Sequence, residues 1–173
     1  MNRPIVLDKK IMEHDGVLRD LAERVRILAA MPFQFVRSGY ADELSLHFGP
    51  PIEVATSKRK LRPRGSYVLS LRASHWLFET AAGVRYSSDD FQDGGSTFEA
   101  DSPIAPGSRA VRILPEFEPV SGGIGLDIEF DDGSRLEIRP DTEECEEVAD
   151  WELLGPAGEY LGVGPGAKWA DRF

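Results

Sequence analysis

The chain has 173 residues and a formal net charge of −10, with 41% hydrophobic and 29% charged residues, a composition ordinary for a soluble globular protein. Its length accommodates one domain or two small lobes. The single cysteine, Cys145, excludes an internal disulfide. No apolar run reaches the roughly 20 residues of a membrane span or forms a signal peptide, so we expect a cytoplasmic protein.

Charge is distributed unevenly along the chain. Residues 1–86 carry 14 Lys and Arg against 9 Asp and Glu, a net charge of +5, whereas residues 87–173 carry 6 against 21, a net charge of −15. Because like charges repel, the acidic half disfavours nucleic acid and attracts basic protein surfaces.

One helix is predicted, over Asp15–Ala30. Its apolar residues recur at helical spacing on one face: Val17, Leu18, Leu21, Val25 and Leu28. Asp15 is expected to cap the helix, and Pro32 is expected to end it.

Alternation of apolar and polar residues predicts short strands in the rest of the first half. They cover residues 33–36, 43–48, 52–55, 67–72 and 76–78. In the second of these strands, Leu44, Leu46 and Phe48 are expected to face inward. His47 is expected to face outward, and Gly49-Pro50-Pro51 is expected to turn the chain.

The second half repeats this style after a stretch rich in Gly, Asp and Pro. Asp131-Asp132-Gly133-Ser134 predicts a hairpin turn, with Asp127 and Glu129 facing arginines across the hairpin. We therefore predict a helix with a first β-meander over residues 1–86, a linker or long loop over 87–107, and a second β-meander over 108–173. The alternative is that the two halves pack as one domain.

The two halves resemble each other in sequence. Ser74–Tyr86 aligns without a gap with Ala149–Leu161, so that Trp76 matches Trp151 and Phe78 matches Leu153. Three upstream matches follow: residues 25–28 with 111–114 (both Val-Arg-Ile-Leu), 43–48 with 125–130, and 52–54 with 136–138. We interpret this order as a duplication, which implies paired subdomains. The alternative is chance similarity, because meandering sheets all alternate and turn at Gly.

Two oppositely charged loops occupy matching positions in the predicted repeats. The basic loop carries Lys58, Arg59, Lys60, Arg62 and Arg64. The acidic loop carries Asp141, Glu143, Glu144, Glu146 and Glu147. Either both loops are simply solvated, or at least one is a recognition surface. The basic loop lacks interleaved aromatic residues for base stacking, so nucleic-acid binding is disfavoured.

The sequence offers little evidence of catalysis. The histidines at positions 14, 47 and 75 are scattered and form no zinc-ligand spacing. No nucleophile, phosphate-loop or dinucleotide motif is present, so the chain predicts no cofactor or metal.

The hairpin LDIEFDDGSRLEI at residues 126–138, followed by WELLGPAG at 151–158, resembles small bacterial proteins of unknown function, some of them encoded beside toxin genes as proposed immunity proteins. The resemblance covers mainly residues 124–166 and brings no catalytic residues with it. It implies a protein that neutralises a toxin by binding it.

These observations predict a mainly β (α+β) protein, with two similar antiparallel β-meanders and one N-terminal helix. The predicted function is non-catalytic binding of a basic protein partner, such as a toxin, through the acidic surface. One alternative is a self-associating module, in which the basic loop of one copy meets the acidic loop of another. The other is a small enzyme whose site is assembled from scattered Asp, Glu and His.

Overall fold

The structure is a computed structural model that describes residues 9–39, 42–55, 61–72, 74–91, 102–141 and 148–172. These residues form an N-terminal helical segment and two antiparallel β-sheets. The predicted mainly β class, with two antiparallel meanders and one N-terminal helix, is therefore confirmed.

The helical segment consists of α1 (Lys9–Val25) and α2 (Ile27–Ala30). The strands are β1 (Phe33–Ser38), β2 (Leu44–Ala55), β3 (Leu61–Leu71), β4 (Ser74–Glu79), β5 (Arg85–Ser87), β6 (Ala110–Phe117), β7 (Ile124–Phe130), β8 (Arg135–Pro140), β9 (Trp151–Leu154), β10 (Tyr160–Val163) and β11 (Trp169–Asp171). A 3-10 turn, Ser88–Phe91, follows β5.

Each half of the chain builds a three-stranded meander and then sends a hairpin into the opposite sheet. The first sheet has the order β1-β2-β3-β9-β10-β11, and the second has the order β5-β4-β8-β7-β6. The β4–β5 hairpin of the first half thus extends the second meander, and the β9–β10 hairpin of the second half extends the first. Each sheet needs strands from both halves.

The strand registers repeat between the halves. Trp76 lies opposite Ile138, and Trp151 lies opposite Leu71 in the other sheet. The bulge near the start of β1 recurs near the start of β6. Pro32 forms an isolated bridge with Arg109, its counterpart in the other half. These correspondences support the duplication inferred from the sequence.

Two of the sequence matches are wrong in detail. Residues 25–28 lie in the helical segment, whereas their match, 111–114, lies in strand β6. Residues 52–54 continue β2, and the register equates Leu69–Leu71 with 136–138 instead. The repeated sequence Val-Arg-Ile-Leu does not indicate equivalent structure, because apolar residues at its first, third and fourth positions are compatible with a helix face as well as with a strand.

The predicted turn at Gly49-Pro50-Pro51 is also wrong, because β2 continues through it to Ala55 with an irregularity between Phe48 and Pro51. Proline cannot donate to a ladder, but the pairing of β1 with β2 ends at Phe48, so no strand on that side needs the missing N–H. The helix likewise begins by Lys9, which places Asp15 inside α1 rather than at its cap.

One hydrophobic core draws on both halves and on the helix. Leu21, Val25 and Leu28 pack with the inner faces of both sheets, where Trp76 and Trp151 are buried. Whether residues 1–86 and 108–173 behave as separate domains stays a prediction, and residues 92–101 of the proposed linker lie outside the described residues.

The expected cross-strand ion pairs are confirmed for Asp127, whereas Glu129 pairs with Arg112 of β6 instead of an arginine of the hairpin. Arg139 Nη1 lies 2.6 Å from Asp127 Oδ1, and Arg135 Nη2 lies 3.1 Å from Asp127 Oδ2. Asp127 itself is buried, which the alternation of β7 did not predict. Removing either arginine would therefore leave a poorly compensated buried carboxylate.

Candidate functional site

The basic residues of the sequence belong to a two-stranded arm. Residues 51–55 of β2 pair with 61–65 of β3, beyond the last pairs that these strands make with β1 and β9. We call this ribbon the β2–β3 arm. Arg62 is exposed on it, whereas Lys58, Arg59 and Lys60 lie outside the described residues. The predicted basic loop is thus, in its described part, strand.

Two side-chain hydrogen bonds fasten the base of the arm. Arg64 Nη2 donates to the carbonyl oxygen of Gly155 at 2.8 Å, and Arg37 Nη2 donates to that of Pro63 at 3.1 Å. Because Arg64 is half-buried and engaged with the protein itself, it is less suited to recognition than Arg62.

The acidic residues lie between β8 and β9. Asp141 directly follows β8, whereas Glu143, Glu144, Glu146 and Glu147 lie outside the described residues. We call residues 141–147 the acidic segment. Its counterpart in the first half is the short connection between β3 and β4, whereas the counterpart of the basic loop is the β7–β8 turn. The prediction that the two charged loops occupy matching positions is therefore wrong.

The described residues that border the acidic segment and the tip of the arm lie at opposite ends of β3. Leu71, at one end, pairs with Trp151, and Arg72 N donates to the carbonyl oxygen of Asp150 at 3.3 Å. Leu61, at the other end, is the first described residue after the tip. Ten residue steps of about 3.3 Å separate these ends by roughly 33 Å. The described residues next to the two charged regions are therefore far apart within one molecule.

A buried carboxyl group lies at the root of the acidic segment. Asp150 is 4% exposed, and its Oδ2 has no hydrogen-bond partner among the described residues. Its carboxylate packs against Gly164, where a Cβ atom would leave no room for it. Burial, together with the charge of Asp141, raises the pKa of Asp150 to about 7.

Sequence reasoning missed Asp150, because alternation from the inward Trp151 directs it to the surface. Hydrogen bonds of the Asp150 main chain hold the residue in a buried position instead. Asp150 N donates to the carbonyl oxygen of Val163 at 2.8 Å, and Ser74 Oγ donates to the carbonyl oxygen of Asp150 at 2.5 Å. The first bond lies within the β9–β10 hairpin of the second half, and the second joins that hairpin to the start of β4 in the first half.

At the start of the acidic segment, an aspartate, a histidine and a serine lie in the same sequence of contacts as the residues of a hydrolytic triad. His75 Nε2 lies 3.6 Å from Asp141 Oδ1, and His75 Nδ1 lies 3.4 Å from Ser88 Oγ, beside a groove of about 330 Å³. Both separations exceed the 2.6–3.2 Å or so that proton transfer requires. Ser88 is 2% exposed and accepts the backbone N–H of Trp76 at 3.4 Å. This geometry fits a structural serine better than a nucleophile.

A second histidine–serine pair lies on β2. His47 Nδ1 accepts the backbone N–H of Gly65 at 3.1 Å, which places the ring proton on Nε2, 3.2 Å from Ser45 Oγ. The ring therefore donates to Ser45, whose hydroxyl donates in turn to the carbonyl oxygen of Arg37 at 3.3 Å. A histidine in this tautomer cannot take the serine proton at Nε2, so the pair is not an activated nucleophile.

The expectation that His47 faces solvent is wrong, since the residue is 4% exposed. Its ring stacks on that of Phe35, with 4.3 Å between the ring centroids. Burial, together with the charges of Arg37 and Arg64, lowers the pKa of His47 to about 4. The N–H of Gly65 also opposes a proton on Nδ1, because two donors would then face each other.

Among the described residues, no group of three or more His, Cys, Asp or Glu side chains is placed to hold a metal ion. None of the helices in the described part of the chain has the length and apolarity needed to cross a membrane. Comparison of this chain with protein-family models, curated proteins and solved structures found no match.

Proposed function

We propose that this protein is a non-catalytic binding protein that recognises a basic protein partner through the acidic segment. The observation that carries the proposal is the crowding of carboxyl groups where the segment leaves the sheets. The charge of Asp141 contributes to the raised pKa of Asp150, and the sequence places four more glutamates between these two residues. A partner's Lys or Arg side chains would relieve this repulsion on binding.

The resemblance of residues 124–166 to proposed immunity proteins suggests the kind of partner. Nucleic-acid-cleaving toxins are cationic, and an acidic surface accelerates their capture by electrostatic steering. The specific version of the proposal is therefore a cytoplasmic toxin-neutralising protein whose partner is a basic nuclease.

Charge reversal tests the proposal. In one variant, lysine replaces the glutamates of the acidic segment: Glu143, Glu144, Glu146 and Glu147. In a matched control, lysine replaces four exposed acids elsewhere: Asp15, Asp20, Glu53 and Asp89. Both variants change the net charge equally. We expect the first variant alone to lose capture of a purified basic nuclease encoded beside this chain's gene, with an unchanged melting temperature. Equal capture by both variants would refute the proposal.

A second candidate function is head-to-tail self-association between the β2–β3 arm of one copy and the acidic segment of another. The described residues that border the two regions lie at opposite ends of β3, which favours contact between copies over contact within one chain. Such a contact is heterologous and would form rings or chains. Sedimentation velocity at low and high salt tests this candidate, because a monomer under both conditions excludes it.

A further inference from the structure

A groove of about 450 Å³ runs between helix α1 and strand β6. Its apolar lining comes from Ala22 and Ala29 of the helical segment and from Val111 and Ile113 of the strand. Val111 is 64% exposed, which leaves a large apolar side chain in contact with water. This volume lies within the usual range of ligand sites, about 300–1,000 Å³.

Guanidinium groups line both walls of the groove. Arg19 and Arg26 are exposed on the helical wall, and neither forms an ion pair with any residue that the structure describes. Arg112 lies on the strand wall, where its Nη1 is 2.7 Å from Glu129 Oε1. Glu23 is the single carboxylate among the described residues that line the groove. The groove is therefore locally basic in a protein whose net charge is −10.

The strand wall favours recognition by side chains rather than by strand addition. β6 is an edge strand, but its pairing is irregular between Ala110 and Arg112, and Pro115 lacks the N–H that a new ladder needs. Bulges and prolines are the features by which edge strands resist pairing with a further chain. A ligand of this groove would accordingly be held by its carboxylates and its apolar surface.

We propose that this groove binds an acidic segment of a partner protein in which two carboxylates flank an apolar side chain. Arg19 and Arg26 are seven residues apart in a helical segment, a rise of about 10.5 Å. Carboxylates four positions apart in an extended peptide point to the same face as the side chain midway between them and are separated by about 13 Å, a spacing that the flexible side chains of the two arginines can match. The apolar side chain between them lies over Ala22 and Val111. This site uses none of the residues of the acidic segment. It would bind an acidic partner, whereas the acidic segment is proposed to bind a basic one.

Fluorescence anisotropy with synthetic peptides tests the proposal on the full chain. The probe is a labelled peptide with two glutamates four positions apart and a leucine midway between them. Two companion peptides replace the glutamates by glutamine or the leucine by serine. We expect only the first peptide to bind, and we expect the paired substitution R19Q/R26Q to weaken it about tenfold or more, because charged hydrogen bonds are lost. V111S is expected to weaken it less.

A matched control, K58Q/R62Q, removes the same charge from the arm and should leave binding unchanged. If this control loses the peptide while R19Q/R26Q retains it, the arm is the acid-binding surface and the proposal fails. It also fails if the wild-type chain does not bind the first peptide at millimolar concentration. A dimer in sedimentation velocity that R19Q/R26Q dissolves would place a second copy in the groove and overturn the partner version. Thermal unfolding verifies that each variant is folded.

Discussion

Trp76 and Trp151 donate their indole hydrogen bonds to equivalent backbone positions in the two halves. Trp76 Nε1 lies 2.7 Å from the carbonyl oxygen of Asp42, and Trp151 Nε1 lies 2.8 Å from that of Ile124. Asp42 and Ile124 stand two residues before Leu44 of β2 and Leu126 of β7, which occupy matching positions in the two halves. Each tryptophan thus ties a hairpin to the start of a strand in the opposite sheet.

Replacing either tryptophan by phenylalanine should destabilise the protein to a similar degree. The substitution leaves a carbonyl group without its donor and removes part of a large side chain, at an expected cost of about 2–4 kcal/mol in the free energy of unfolding. Urea denaturation of W76F and W151F measures this cost. Substitution of the partly buried Trp169 is the control, with a smaller expected loss. A negligible effect at either core position would contradict the structural equivalence.

The two halves should not fold separately. The β4–β5 and β9–β10 hairpins each complete the sheet of the other half, so a fragment of residues 1–86 would expose both an unpaired β3 edge and a hairpin without its neighbour. We expect fragments 1–86 and 87–173 to lack dispersed amide NMR signals when alone and to gain them when mixed in equal amounts. A dispersed spectrum from either isolated fragment would show independent lobes instead.

Ionisation of Asp150 should destabilise the fold as the pH rises. Its pKa is raised to about 7 by burial and by Asp141, whereas the unfolded chain ionises near pH 4. Between these values the folded state retains a proton that the unfolded state has lost, so stability falls with increasing pH. The substitution D150N should remove this loss, which amounts to roughly 2–4 kcal/mol at pH 8 relative to pH 4.

Urea denaturation at a series of pH values measures the difference between D150N and the wild-type chain. D89N, at an exposed aspartate, is the matched control for the Asp-to-Asn change itself. If the difference between D150N and the wild-type chain does not vary with pH, the buried carboxyl does not titrate as described.

Protonation of His47 acts in the opposite direction. Because burial and two arginines lower its pKa to about 4, the unfolded state takes up a proton near pH 6.5 that the folded state refuses. The stabilising contribution is complete above pH 6.5 and is lost as the pH falls toward 4. H47Q should remove this loss of stability, which amounts to roughly 2–3 kcal/mol in the free energy of unfolding between pH 7 and pH 4, as measured by urea denaturation. H75Q, at a more exposed histidine, is the control and should retain the loss.

Two glycines should respond oppositely to alanine. At Gly65, a Cβ atom would lie 2.5 Å from the backbone N and O of Phe48, where β2 and β3 approach each other, and rigid backbone cannot yield cheaply. We expect G65A to lower the melting temperature and to loosen the β2–β3 arm. Gly16 lies inside α1 with nothing within 4 Å of its Cβ position, so G16A should stabilise the protein by about 1 kcal/mol. Thermal unfolding of both variants checks the pair.

The sequence by itself determined the features that depend on local pattern. Alternation identified the inward faces of β2, β4 and β7, and Gly133 marked the β7–β8 turn, where its φ of 87° suits only glycine well. The equivalence of Trp76 and Trp151 could also be predicted from the sequence, because an ungapped alignment of two segments requires no knowledge of which strands pair. These features follow from side-chain period and turn chemistry, which act over a few residues.

Only the tertiary structure decided which strands pair and what they bury. The exchange of hairpins between sheets joins residues some 80 positions apart, such as Leu71 and Trp151, and no local pattern encodes such a choice. The same exchange buries Asp150, and the close approach of Gly65 buries His47, although alternation directs both outward. The groove beside β6 likewise exists only because helix α1 packs along an edge strand formed far away in the chain.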